Sequence, residues 1–183
     1  MIGSRGAHLV ATGGNDAGGT ATPILGEAWR AARQQIDSLD ARLLIEHVAA
    51  CTHAQLLAEP TRCLTREQVE RLAELVRRRT TGEPLAYLVG TAGFYGREFL
   101  VSPAVLIPRP ETERLVELAL THLLTLQAPR ILDLGTGSRI IAITLAKQCP
   151  DARVTAVDLS AAALTVAQAN ANSDTEVKDV DFE

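Results

Sequence analysis

From Ile24 onward the apolar positions fall into helical spacing. Leu25, Trp29, Ala32 and Ile36 form one stripe, and Leu43, Leu44 and Val48 mark a second helix with Ser38 or Asp40 as its cap. The third helix carries its own start signal. Thr65-Arg66-Glu67-Gln68 reads as a capping box, and Val69, Leu72, Ala73 and Val76 follow on one face until Gly82 and Pro84 stop the run. The pattern then shortens. Gly93 to Gly96 and Glu98 to Val101 predict two short strands pinched at Gly96-Arg97. Pro103 and Pro108 keep the next stretch extended, and Pro110 suits the first position of a helix running to about Gln127.

From Arg130 the period alternates. Ile131 to Leu134 and Val154 to Val157 predict buried-type strands, followed by helices over 140–148 and 161–171. Strand, helix, strand, helix with short loops implies parallel pairing and a doubly wound sheet. The expected fold class is therefore α/β, with a small N-terminal helical domain before a partial Rossmann-like domain. The expected divisions are a disordered leader over 1–23, a helical domain over 24–90, a hairpin and linker over 91–109, the partial Rossmann-like domain over 110–172, and an acidic tail over 173–183.

Composition narrows the class. The 183 residues are 46% apolar and 22% charged, with a formal net charge of −4. No apolar run approaches the roughly 20 residues of a membrane helix, and no secretory signal pattern opens the chain. All of the excess charge sits in the last ten residues, where five acids face a single Lys178, so the body gives no general case for nucleic acid binding. Three cysteines without metal-type spacing and four scattered histidines argue for reduced thiols in a cytoplasmic protein and against a metal site.

The candidate chemistry lies where the first predicted strand of the alternation ends. Ile131-Leu132-Asp133-Leu134 runs into Gly135-Thr136-Gly137-Ser138 and then a helix. Glycines there let the backbone turn sharply and approach a ligand, and the helix start offers a positive end. Asp158 ends the next strand, where a carboxylate can accept the hydroxyls of a ribose. Together these favour nucleoside binding over a bare turn. Ile140 occupies the third glycine position of the nicotinamide fingerprint, and an aspartate two residues before the first glycine is more typical of S-adenosylmethionine enzymes.

In order along the chain stand Gly82-Glu83-Pro84-Leu85-Ala86-Tyr87-Leu88, Phe94-Tyr95-Gly96, Leu106-Ile107-Pro108-Arg109-Pro110-Glu111-Thr112-Glu113, the turn Asp133 to Ser138, and Ala156-Val157-Asp158. With these motifs the chain, from about Leu25 to Asn172, resembles the protein-(glutamine-N5) methyltransferases that modify peptide chain release factors. The resemblance implies a cytoplasmic enzyme of translation termination. It would carry a methyl group from S-adenosyl-L-methionine to the side-chain amide of the glutamine in a Gly-Gly-Gln motif, with the release factor as protein substrate. It implies that Gly135, Thr136 and Gly137 lie against the methionine part of the cofactor, that Asp158 holds the ribose, and that Ser138 and Arg139 belong to the same cofactor-binding set. The helical domain would dock the release factor, and Arg109 to Glu113 would lie beside the pocket.

Two departures from the family pattern stand out. Arg139 occupies a position where the family usually has glycine. A long cation there would crowd the cofactor or meet its carboxylate, and weaker binding is the expected net effect. The family's substrate clamp, Asn-Pro-Pro-Tyr, occurs nowhere in the sequence, and Asn170 and Asn172 are not placed to replace it. The resemblance thus implies a C-terminally truncated chain, inactive alone, with no catalytic residue assignable. An incomplete sheet would leave a free edge and apolar faces uncovered, with marginal stability or self-association as the expected result.

Three functions remain open at this stage: the glutamine methyltransferase, a non-catalytic remnant whose helical domain binds a protein partner, and a related adenine or amine methyltransferase. For single residues the plainer readings lead. Trp29 is expected in a core, Arg77-Arg78-Arg79 on a solvated helix face, and Cys51, Cys63 and Cys149 inert. Tyr87, Phe94 and Tyr95 serve packing or border the pocket; Glu111 and Glu113 serve the helix start or the ligand.

Overall fold

The computed structural model describes residues 23–173 and 180–182. The predicted leader up to residue 22 and most of the acidic tail lie outside these residues, while the Pro23 carbonyl accepts the Leu64 N–H at 3.0 Å. The chain divides into two compact units after Leu88.

The first unit is helical: α1 (Leu25–Ala32), α2 (Ser38–Ala49), α3 (His53–Ala58) and α4 (Arg66–Thr80), with a short α5 (Leu85–Val89) at its end. Leu25, Leu44, Ile45, Leu56 and Leu75 are fully buried and hold these helices together through the hydrophobic effect. The Thr65 capping box is formed: its hydroxyl accepts the Gln68 N–H, and the Gln68 side chain accepts the Thr65 N–H. Thr52 and Gln55 repeat the device on α3, a helix too short for periodicity to reveal. The cap of α2 is Asp37, which accepts the Leu39 N–H at 2.8 Å, rather than Ser38 or Asp40. Asp40 is engaged elsewhere, pairing with Arg79 at 2.6 Å. Arg77 pairs with Glu74, and Arg78 with Glu83. Every arginine of the basic run is thus matched by a carboxylate. Trp29 is half-buried, with the Arg33 guanidinium 5.3 Å from its ring centroid and His53 against its edge.

The second unit begins with an antiparallel hairpin, β1 (Thr91–Phe94) and β2 (Arg97–Leu100). Its turn is Tyr95-Gly96, one residue earlier than the sequence pattern predicts. Both turn residues have left-handed φ, +51° and +71°, the geometry whose twist matches a two-residue hairpin. Glu113 secures it by accepting the Tyr95 N–H at 2.7 Å. Then come α6 (Pro110–Leu123), β3 (Arg130–Leu134), α7 (Ile140–Gln148), β4 (Arg153–Val157), α8 (Ala161–Ser173) and β5 (Val180–Phe182). Pro110 is the first residue of α6, as predicted, but the helix ends at Leu123 rather than near Gln127.

The strands β3, β4 and β5 lie side by side in that order, all parallel. Val180 to Phe182, read from sequence as part of a tail, therefore continue the alternation as a third strand. The sheet is not doubly wound in the described residues. Its two crossovers step in the same direction, and right-handed connections then place α7 and α8 on one face. On that face Ala142 of α7 packs with Val154 and Ala156 of β4, while Phe94, Phe99, Val116, Ile140 and Ile143 join hairpin, α6 and α7 in an adjoining cluster. On the opposite face Leu132 and Leu134 are 60% and 72% exposed. Among the described residues these two leucines present an apolar patch on that face.

Candidate functional site

The turn after β3 is fastened to the tip of β4. The N–H groups of Gly135 and Thr136 both donate to the Val157 carbonyl, at 2.9 and 3.0 Å. The Gly137 N–H donates to Asp158 Oδ2 at 2.9 Å, and the other carboxylate oxygen accepts the Ser160 N–H at 2.9 Å. Thr136 Oγ1 donates back to Asp133 Oδ2 at 2.7 Å, which ties the turn to the end of its own strand. The Arg139 N–H then donates to the Thr136 carbonyl at 2.8 Å, and α7 follows. The six residues singled out by sequence, Gly135, Thr136, Gly137, Ser138, Arg139 and Asp158, thus form one contiguous loop-and-strand-tip structure.

Gly135 and Gly137 have φ of +72° and +54°, which L side chains rarely adopt. A Cβ at Gly135 would meet nothing within 4 Å, and one at Gly137 would meet only the Gly135 carbonyl at 4.0 Å. The outer side of the turn is therefore open backbone that a ligand can approach closely. Beside it, the Ser160 and Gly137 N–H groups hold the Asp158 carboxyl below its ordinary pKa, so it is ionised at neutral pH. Its remaining acceptor capacity is available to a ligand's hydroxyl groups. Thr136 and Ser138 are buried under the turn.

Arg139 differs from the rest. Its φ is +69°, and its side chain is 1% exposed. Burial pulls its guanidinium pKa down while the negative charge of Asp133 works the other way. Its guanidinium is buried within the second unit. Arg109 and Glu111 are exposed at the start of α6, whereas Glu113 is engaged with the hairpin turn. Phe94 belongs to the core. Burial raises the pKa of the Cys149 thiol, which keeps it protonated. Among the described residues no cluster of His, Cys, Asp or Glu is placed to hold a metal ion, and no helix is long and apolar enough to cross a membrane.

One residue beside the turn escapes sequence reasoning. Asn170 of α8 is 2% exposed and donates from Nδ2 to the Ser138 carbonyl at 2.8 Å. Its signal was available: Ala163, Ala167 and Asn170 recur at i, i+4 and i+7 on the buried stripe, and a buried amide must find partners.

A glycine turn between strand and helix, with an ionised acid on the neighbouring strand tip of a parallel sheet, defines a Rossmann-like domain, here of the methyltransferase kind. Residues 112–182 match the methyltransferase small domain, and residues 27–90 match the PrmC N-terminal domain. Over these residues the chain is similar to release factor glutamine methyltransferases. It is 52% identical over 133 residues to the release factor glutamine methyltransferase of Bordetella pertussis, covering 73% of this chain and 49% of that protein. The Koribacter versatilis enzyme is 51% identical over 138 residues, covering 73% and 48%. The Escherichia coli enzyme is 48% identical over 132 residues, covering 72% and 47%. The chain spans about half the length of the curated relatives it matches.

Proposed function

We propose that this chain supplies the donor-binding part of a cytoplasmic S-adenosylmethionine-dependent methyltransferase, whose acceptor is the side-chain amide of the glutamine in a release factor's Gly-Gly-Gln motif. The observation that carries this reading is the open backbone at Gly135 and Gly137 set against the ionised Asp158. Bare glycine backbone admits the methionine part of the donor, and the carboxylate accepts hydrogen bonds from the ribose hydroxyls. The names of the relatives support the acceptor assignment.

The donor brings a sulfonium-activated methyl group. An amide nitrogen is a weak nucleophile because its lone pair is delocalised, so rate must come from alignment of the two reactants. This chain's part in that alignment is to hold one of them. Asp158 anchors the donor at the ribose end, the Val157 carbonyl holds the turn in register with β4, and Asp133 fixes Thr136 within it. Asn-Pro-Pro-Tyr, the clamp that the family uses for the amide, is not in the sequence, so no residue of this chain is given a catalytic role.

Titration with S-adenosylhomocysteine, which lacks the transferable methyl, tests the donor site. Saturable one-to-one binding that weakens on Asp158→Ala is expected, and absence of binding overturns the reading. Incubation with labelled S-adenosylmethionine and a Gly-Gly-Gln peptide, with and without the chain, tests the acceptor.

A further inference from the structure

Asn170 makes three hydrogen bonds that bring three elements together. Its Oδ1 accepts the Leu100 N–H at 2.7 Å, and its Nδ2 donates to the Leu100 carbonyl at 3.0 Å and to the Ser138 carbonyl at 2.8 Å. Only one orientation of the amide satisfies all three, since its oxygen must face the N–H and its nitrogen the two carbonyls. Towards β2 the side chain acts as a one-residue strand, closing an edge that would otherwise present an open donor and acceptor. Towards the turn it holds the peptide that joins Ser138 to Arg139.

That peptide is planar and trans, so its carbonyl and its N–H rotate together. The carbonyl is bound by Asn170, and the N–H, belonging to Arg139, is bound by the Thr136 carbonyl at 2.8 Å. Both ends of one plane are pinned, immediately before a non-glycine residue at φ +69°. Strained backbone of this kind persists only where its surroundings hold it. If the plane turned over, both bonds would break, and the path of the chain from Gly137 into α7 would change with them. The Gly137 N–H that meets Asp158 lies one residue before this plane.

We infer that Asn170 is a positioning residue for the donor site: it fixes the Ser138–Arg139 peptide, and through it the glycine turn, to the β1–β2 hairpin. The site it serves rests on the donor-binding reading above; the geometry it imposes on the turn exists without any ligand.

Amide hydrogen exchange of the ligand-free chain tests this directly. Val116→Ala is the control, because it removes buried apolar volume from the same unit without touching the turn. Asn170→Ala is expected to speed exchange of the Arg139 and Gly137 amides at least tenfold beyond Val116→Ala at matched global stability. Equal acceleration in both variants overturns the assignment. Asn170→Ser, which keeps a hydroxyl but lacks the reach for three bonds, gives the same comparison if the alanine variant does not fold. Titration with S-adenosylhomocysteine then reads the consequence. The affinity of the folded Asn170 variant is expected to fall about tenfold, with Val116→Ala unchanged; equal affinities for the two count against the positioning role. Failure of the parent chain to bind overturns the donor reading, and the exchange result still decides the geometric claim.

Discussion

Asp158 and Gly137 meet across the tips of two parallel strands, carboxylate to backbone N–H, at 2.9 Å. The contact joins the residue that would hold a ribose to the turn that would seat the rest of the donor. Shape and charge at this site are therefore set by the same bond.

Removing the carboxylate should be felt first in binding. Asp158→Ala is expected to weaken S-adenosylhomocysteine at least tenfold, about 1.4 kcal/mol, as measured by calorimetric titration. Asp158→Asn keeps one acceptor and should fall between the variant and the parent.

The same group gives stability an acid limb. Because its pKa is lower in the folded protein, the stabilisation it contributes is complete above the pKa of an unfolded aspartate, about 3.9. It fades as pH falls through the lower folded value. Urea unfolding of the parent and Asp158→Asn between pH 7 and pH 3 should show the difference between them narrowing at the acid end. A constant difference would contradict the linkage.

Alanine at Gly135 tests backbone strain without a clash, since space around a Cβ there is open. The left-handed φ alone should cost about 1–2 kcal/mol. For a unit of this size that lowers the melting temperature by several degrees, which scanning calorimetry can follow.

Arg139 inverts the usual order of alanine and glycine. Both substitutions remove the buried guanidinium, but only glycine relaxes at φ +69°, so Arg139→Gly should be more stable than Arg139→Ala by about 1 kcal/mol. Loss of the long cation next to the glycine turn should also tighten S-adenosylhomocysteine binding relative to the parent. Equal affinities would show that the arginine is neutral towards the donor.

The apolar patch on the sheet should make the chain self-associate. Sedimentation is expected to show concentration-dependent assembly, reduced when Leu132 and Leu134 are both replaced by lysine.

What the sequence made legible was whatever rests on local chemistry. The Thr65 capping box, Pro110 at a helix start, and the glycine turn with Asp158 all follow from residue type and spacing. Four features did not. The hairpin turn shifted by one residue because Glu113, 18 positions away, holds Tyr95, and no local pattern encodes that partner. Val180 to Phe182 pair with β4 despite sitting among acidic residues, because a parallel neighbour supplies the backbone partners whatever the local charge. Asn170 reads from sequence only as a residue that cannot replace the substrate clamp, because the bonds that give it a role, to Leu100, cross 70 positions. The arginine run at 77–79 was readable as a surface but not as a neutralised one, since Asp40 lies on another helix.

The two bonds that the Val157 carbonyl accepts from the turn have a thermodynamic corollary. They form only when β3 and β4 are zipped in register, so the binding-competent loop and the folded sheet are one event. Any molecule that prefers that loop must then raise the melting temperature, by an amount that grows with the logarithm of its concentration. A thermal-shift screen of small metabolites would let the protein report its own ligand.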